Sequence, residues 1–175
     1  MKKEIFLICI CILSIILRFL PHIPNFSSLI ALSVVSGIIF NKKRGLIFPL
    51  TAVIISDIVL GLHRLILFTW SSYILIYLIS ARVKNPNTLK TALLSCTGSV
   101  LFFLITNFGV WLEGWYPHTL QGLYECYLRA LPFFKNSFFS NLAFSIIFYL
   151  GYKLFYLKIF SYLSKFKLVI KEDEL

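Results

Sequence analysis

Seven side chains with the chemistry to bind a small polar molecule lie in or near apolar segments of this 175-residue chain. They comprise a guanidinium, an imidazole, a carboxylate, three amides and an indole, which together can pair with, hydrogen-bond to and stack on a ligand. The predicted binding residues are Arg18, His22, Asn25, Asp57, Asn107, Trp111 and Asn141. Whether the folded chain gathers them depends on the elements that carry them.

Asp57 and Asn107 are the most polar residues within two of the apolar segments, and each lies five residues before its segment ends. At a helical rise of about 1.5 Å per residue, both would lie ~7 Å below the same boundary. A carboxylate at that depth in a membrane should face the bundle interior and have a partner. Arg18 and Arg64 are the two candidate partners, and the carboxylate either binds a ligand or forms an ion pair that only fixes packing.

Helical spacing places further predicted site residues on shared faces. Asn107 and Trp111 are four residues apart, so an amide and an indole share one side of a helix. A single Trp at this height is also typical of the aromatic belt of membrane proteins. Ser137, Asn141 and Ser145 recur at the same spacing, which predicts helix packing for the serines and a site role for Asn141.

The composition predicts a membrane protein. The chain is 59% hydrophobic with a mean hydropathy of +0.87, whereas soluble chains are roughly half apolar. We predict an all-α, polytopic bundle of six transmembrane helices, formed by residues 1–157 and followed by a basic and then acidic cytoplasmic tail at 158–175. The net charge of +10 is attributed mostly to Lys and Arg in cytoplasmic loops that orient the spans in the lipid bilayer, and not to nucleic-acid binding.

The predicted topology follows from the distribution of positive charge. The spans are predicted at about 5–20, 27–40, 46–62, 65–81, 91–112 and 137–156. With the N-terminus inside, thirteen of the 17 Lys and Arg residues fall inside. The four on the outer side are Arg18, Arg64, Arg129 and Lys135. This asymmetry predicts that both termini are cytoplasmic and that the candidate site faces outward.

The long connection at residues 106–136 is predicted to cover the site. It contains the polar end of span five, an aromatic elbow at 111–117 and an amphipathic helix at 119–131. Thr119 is the predicted N-cap of that helix, and Pro132 is predicted to end it. Two interpretations remain open, namely a lid over a pocket and a helix that only anchors at the membrane interface.

Metal binding and catalysis have weaker signals. His22, His63 and His118 all fall on the outer side, but no two of them have the spacing of helical metal ligands. We therefore predict no metal and no cofactor. We also predict no catalytic residue, because the chain contains neither a GxSxG nor an HExxH signature. It also lacks a GxxxxGK[ST] loop, so any ATP-driven process would need a partner.

Three stretches of the chain resemble a known family. RFLPHIPNF, SDIVLGLH and TNFGVWLEGWYPHTLQGLYECYLRALPFFKN are similar to a family of small bacterial six-span proteins with no assigned function, over about residues 15–150. That family is similar in size and layout to the substrate-binding S components of energy-coupling-factor (ECF) vitamin transporters. The resemblance implies a protein of the bacterial cytoplasmic (inner) membrane that captures a micronutrient outside and docks on an ECF-type coupling subunit with its ATPases.

One departure concerns that docking. S components commonly carry an Ala-x-x-x-Ala pattern in span one, whereas residues 5–20 contain no Ala, and the nearest small pair is Ser33 and Gly37. The leading hypothesis is capture of an unknown small polar ligand. A membrane-embedded enzyme acting on a lipid or envelope substrate would require Asp57 close to a His. A non-catalytic structural subunit would contain no cavity.

Overall fold

The computed structural model describes the backbone of residues 2–21, 24–40 and 43–172, and the side chains of 3–21, 24–40 and 44–156. Within these ranges all regular secondary structure is helical, which confirms the all-α part of the predicted fold class. A 3₁₀ turn, Lys43–Leu46, precedes α3. The six α-helices are α1 Lys2–Phe19, α2 Leu29–Phe40, α3 Ile47–Leu60, α4 Ile66–Ser80, α5 Thr88–Leu112 and α6 Leu120–Glu172.

Side-chain caps fix the start of the two longest helices. Asn87 precedes α5, and its side chain accepts a hydrogen bond from the Lys90 amide at 2.8 Å. Thr119 precedes α6, and its hydroxyl accepts from the Gly122 amide at 3.1 Å. Each oxygen satisfies one of the amides that lack an intrahelical acceptor in the first turn. The predicted capping role of Thr119 is confirmed.

The predicted helix end at Pro132 is wrong. The amphipathic segment and the sixth apolar segment form one 53-residue helix, α6, with Pro132 inside it. Proline removes one backbone donor and crowds the preceding turn, but packing against neighbouring helices can stabilise a helix that contains it. Here α6 is held on both sides of Pro132, since the Tyr127 hydroxyl donates to Leu104 O at 2.7 Å and the Tyr149 hydroxyl donates to Pro86 O at 2.6 Å.

Helix α2 is the centre of the bundle. Residues 29–39 are all buried, and α2 contacts each of the other five α-helices. Its sequence is apolar or small on every side, as expected of a helix without a solvent-facing side. A Cβ on Gly37 would lie 2.8 Å from the Cβ of Ser80 and 2.8 Å from the carbonyl oxygen of Tyr77. The Ser33 and Gly37 pair therefore lies within the bundle, where Gly37 packs on α4.

The helices alternate in direction, so one end of the bundle gathers the candidate residues. The end of α1 meets the end of α3 through Arg18 and Asp57, 2.7 Å apart. The start of α4 joins them through Trp70, and the middle of α6 joins through Asn136, whose side chain donates to Pro24 O at 3.1 Å. We call this the site end.

Among the residues that the structure describes, two helical stretches are long and apolar enough to cross a membrane, Thr88–Leu112 and Leu120–Tyr156. Helices α2, α3 and α4 have 12, 14 and 15 residues, fewer than the roughly 20 that span a bilayer alone. Helix α1 has 18 residues but includes Lys2, Lys3, Glu4 and Arg18. The two long apolar stretches suggest membrane association.

Candidate functional site

A cavity of about 420 Å³ lies at the site end, between residues of all six α-helices and the α1–α2 connection. This volume falls within the range of small-molecule pockets, about 300–1,000 Å³. The lining combines polar and apolar side chains in about equal numbers. Five of the seven predicted binding residues line it: Arg18, Asn25, Asp57, Asn107 and Asn141.

Asp57 is the centre of a buried polar network in the cavity wall. Its side chain is 1% exposed, and its Oδ1 accepts from Arg18 Nη1 at 2.7 Å. Its Oδ2 accepts from the indole nitrogen of Trp70 at 2.8 Å. Arg18 Nη1 also donates to the Ser56 hydroxyl at 2.6 Å. Because both carboxylate oxygens have close donors, Asp57 compensates the charge of Arg18 and fixes its orientation.

The other candidate partner, Arg64, lies outside this network. Its Nε is 2.7 Å from Oε2 of Glu113, and its side chain is 72% exposed. His63 is closer to the carboxylate, with Nε2 3.8 Å from Asp57 Oδ2, and it lines the cavity with a side chain that is 40% exposed. That separation is too long for a hydrogen bond. Arg18 is therefore the partner that neutralises Asp57.

The three predicted amides have different surroundings. Asn25 lies in the α1–α2 connection with a φ of 61°, a conformation that Asn adopts more readily than most residues. Asn107 Nδ2 donates to the Phe103 carbonyl at 2.7 Å, while its Oδ1 has no hydrogen bond within the described residues. The Asn25 side chain likewise has no hydrogen bond within the described residues, so both amides have polar groups that a ligand could contact.

Asn141 is fully buried and has a clear structural role. Its Nδ2 donates to the Ser137 carbonyl at 2.7 Å, and its Oδ1 accepts from the Ala31 amide at 3.3 Å. Ala31 lies in the first turn of α2, where amides have no intrahelical acceptor. Asn141 thus joins α6 to the start of the central helix while it lines the cavity.

The structure does not place Trp111 in the cavity, and His22 lies outside the described residues. The Trp111 indole donates to Pro117 O at 2.9 Å, and His118 Nε2 lies 3.0 Å from Trp111 O. These contacts tie the aromatic elbow to the end of α5. Aromatic residues elsewhere border the cavity instead, namely Phe26 in the α1–α2 connection and Phe133 and Phe134 on α6.

Several residues in or beside the cavity were not predicted, among them Trp70, which donates to Asp57 but does not itself line the cavity. Trp70 lies five residues after Leu65, at the depth in the fourth apolar segment that Asp57 has in the third, and this symmetry was a usable signal. Tyr73 and Ser99 lie deeper in apolar runs and gave no signal. Ser99 is 1% exposed, and its Oγ has no hydrogen-bond partner in the described part of the chain.

The side chains that line the cavity could contact a small organic molecule through hydrogen bonds and aromatic rings. The described residues contain no group of three or more His, Cys, Asp or Glu side chains that could hold a metal ion. Its charged lining residues are Arg18 and Asp57, with His63 as the remaining titratable group besides Tyr73. Phenyl rings supply much of the rest of the wall, so the cavity suits an apolar body with a polar end.

The fold and the cavity define a class, helical-bundle proteins with a buried ion pair in the wall of an internal pocket. The chain belongs to the family described as "Family of unknown function (DUF6580)", whose model matches residues 1–163. Comparisons with curated proteins and with solved structures found no match. Membership of a family without assigned function confirms that part of the predicted resemblance, while the relation to ECF S components stays a prediction.

Proposed function

We propose that the protein is a six-span membrane protein with both termini in the cytoplasm. The exposed side chains of α1 support this, because Ile5, Ile8, Ile12 and Ile16 form an apolar stripe along the helix, each about half exposed. Monomeric soluble proteins rarely expose contiguous apolar patches of this kind. Helix α2 is too short to span a bilayer alone, but the other helices enclose it. Its ends are therefore shielded from lipid by protein.

The orientation follows from charge. Placing the site end outside leaves Arg18, Arg64, Arg129 and Lys135 as the outer basic residues and thirteen of 17 inside. In this orientation the cavity faces the external medium of a bacterial inner membrane. The pocket is then on the side from which a nutrient would be taken up.

The proposed activity is capture of a small polar ligand for micronutrient uptake, as in an S component. The observation that carries the proposal is the cavity of about 420 Å³, which gathers Arg18, Asn25, Asp57 and Asn107 from four separate elements. Convergent polar groups in an otherwise apolar pocket are typical of ligand sites. A purely structural subunit has no need of such a cavity.

Energy for uptake would come from an ECF-type coupling subunit with ATPases, because the chain has no phosphate-binding loop of its own. The docking surface must lie outside α2, since Ser33 and Gly37 are buried within the bundle. Helix α1 offers an exposed surface but contains no Ala or Gly. Co-purification of the tagged protein with candidate coupling subunits tests this part of the proposal.

Native mass spectrometry of the purified protein tests ligand capture. We expect a small molecule that stays bound in the wild type and is lost, or retained at a much lower fraction, in Asn107→Ala. Gln121→Ala is the matched control, because this exposed amide donates to Glu125 at 3.4 Å and does not line the cavity. Equal retention by the Asn107 and Gln121 variants would exclude the assigned pocket.

A membrane-embedded enzyme is the second candidate, because His63 Nε2 lies 3.8 Å from Asp57 Oδ2. We rank it second because the Asp57 oxygens are engaged by Arg18 and Trp70 and are poorly placed to orient an imidazole. The two functions differ in what leaves the protein. A capture protein releases its ligand unchanged, whereas an enzyme releases a product of different mass.

A further inference from the structure

Arg18, in the cavity wall, has N–H groups that form no hydrogen bond within the described residues. A guanidinium carries five N–H groups, and Nη1 uses its two on Ser56 and Asp57. The Nε–H and the two hydrogens of Nη2 have no hydrogen-bond partner within the described residues. Nε and Nη2 form one edge of the planar group, and such an edge matches the two oxygens of a carboxylate.

Asp57 makes this edge available in a defined orientation. The Asp57 side chain is 1% exposed, and its Oδ1 accepts from Arg18 Nη1 at 2.7 Å. Its Oδ2 accepts from the Trp70 indole nitrogen at 2.8 Å, which fixes the carboxylate. Among the described residues, the only acidic side chain in the lining is Asp57, which is already paired with Arg18, so this part of the wall offers a cationic ligand no free carboxylate. The remaining donors favour an acceptor-rich ligand group.

We propose, on the basis of the proposed capture function, that the ligand is a monocarboxylate with an apolar or aromatic body, whose carboxylate binds the Nε–Nη2 edge of Arg18. The body lies against Phe102, Phe103 and Phe134. A single negative charge fits better than a phosphate dianion, because Arg18 is the one guanidinium among the described lining residues and already balances Asp57.

Four compounds that share a phenyl group and differ at the polar end test the proposal. They are phenylacetate, phenylacetamide, phenethyl alcohol and phenethylamine, titrated into the purified full-length protein by calorimetry in detergent. We expect phenylacetate to bind at least about ten-fold more tightly than the amide, since hydrogen bonds to charged groups are the stronger class. Tighter binding of the amine, alcohol or amide would overturn the carboxylate assignment while leaving a binding pocket in place.

Variants connect the preference to Arg18. Arg18→Gln combined with Asp57→Asn removes the cation without leaving an unpaired buried carboxylate, and we expect it to fold and to lose the preference for phenylacetate. Arg64→Gln is the matched control, because Arg64 is a guanidinium at the same end that lies outside the cavity lining. A preference that survives in the double variant would refute the role of Arg18.

Absence of binding by all four compounds would also overturn this inference. The proposed function is judged separately by native mass spectrometry, which assumes nothing about ligand chemistry. A retained molecule that is not an acid would leave capture standing and exclude the carboxylate.

Discussion

Arg18 Nη1 and Asp57 Oδ1 lie 2.7 Å apart and join the ends of α1 and α3, 39 positions apart in the chain. Trp70 on α4 completes the network through the second carboxylate oxygen. One buried carboxylate in the cavity wall thereby joins three helices. The same contacts stabilise the bundle and orient the guanidinium toward the cavity.

Replacing Asp57 by Ala should destabilise the protein strongly. The substitution leaves Arg18 without its counter-ion, and breaking a buried ion pair from one side costs about 3–5 kcal/mol. Equilibrium unfolding in mixed micelles measures the change in the free energy of unfolding. Glu113→Ala is the control, since it breaks the more exposed pair with Arg64 and should cost no more than about 1 kcal/mol. Equal costs would contradict the description of Asp57 as the buried anchor.

Trp70→Phe should lower the free energy of unfolding by about 1.5–3 kcal/mol, the range for a hydrogen bond to a charged group. The change keeps an aromatic ring and removes the N–H that donates to Asp57 Oδ2. Trp115→Phe should be nearly neutral in the same assay, because Trp115 is 65% exposed. If both substitutions are neutral, the indole does not hold the carboxylate.

Gly109→Ala should weaken packing between α4 and α5. A Cβ at this position would lie 2.5 Å from two ring carbons of Phe68, so the ring or the helix must shift. Overpacking of this kind costs about 1–3 kcal/mol. In Gly151→Ala, the nearest atoms to the new Cβ are 3.8 Å away on Phe6. The midpoint temperature of thermal unfolding should be lower for Gly109→Ala than for Gly151→Ala. The reverse order would be incompatible with this helix contact.

The topology can be tested with single cysteines in a background where the four native Cys are replaced by Ala. An impermeant thiol reagent added to intact cells should label Leu120→Cys at the site end, where Leu120 is 86% exposed. It should label Lys84→Cys only after the membrane is permeabilised, since the α4–α5 connection is predicted to be cytoplasmic. Labelling of Lys84→Cys in intact cells would reverse the proposed orientation.

Much of the fold was predictable because loops and apolar runs alternate clearly. The predicted spans 46–62 and 65–81 correspond to α3, Ile47–Leu60, and α4, Ile66–Ser80, with the short Gly-Leu-His-Arg connection at residues 61–64 between them. The all-helical class follows from the same runs. The pattern could not predict that α6 continues through Pro132, because that outcome depends on contacts with α5 before the proline and with the α4–α5 connection after it.

The sequence also could not decide whether Arg18 or Arg64 is the ion-pair partner of Asp57. Arg64 is seven residues after Asp57, which suggested one helical face, but α3 ends at Leu60 and Gly61 follows with a φ of 102°. The helical spacing therefore stops before it reaches Arg64. Similarly, Trp111 shares a face with Asn107 but is one turn nearer the end of α5, where its indole contacts Pro117 and not the cavity.

An experimental structure of the protein purified in lipid, with its co-purified ligand or with phenylacetate, tests the central claim most directly. The account predicts density for a small molecule inside the cavity, with an oxygen within hydrogen-bond distance of Arg18 Nε or Nη2 and an apolar body beside Phe102 and Phe103. A cavity filled by a lipid acyl chain, or a ligand bound elsewhere with Arg18 unchanged, would contradict it.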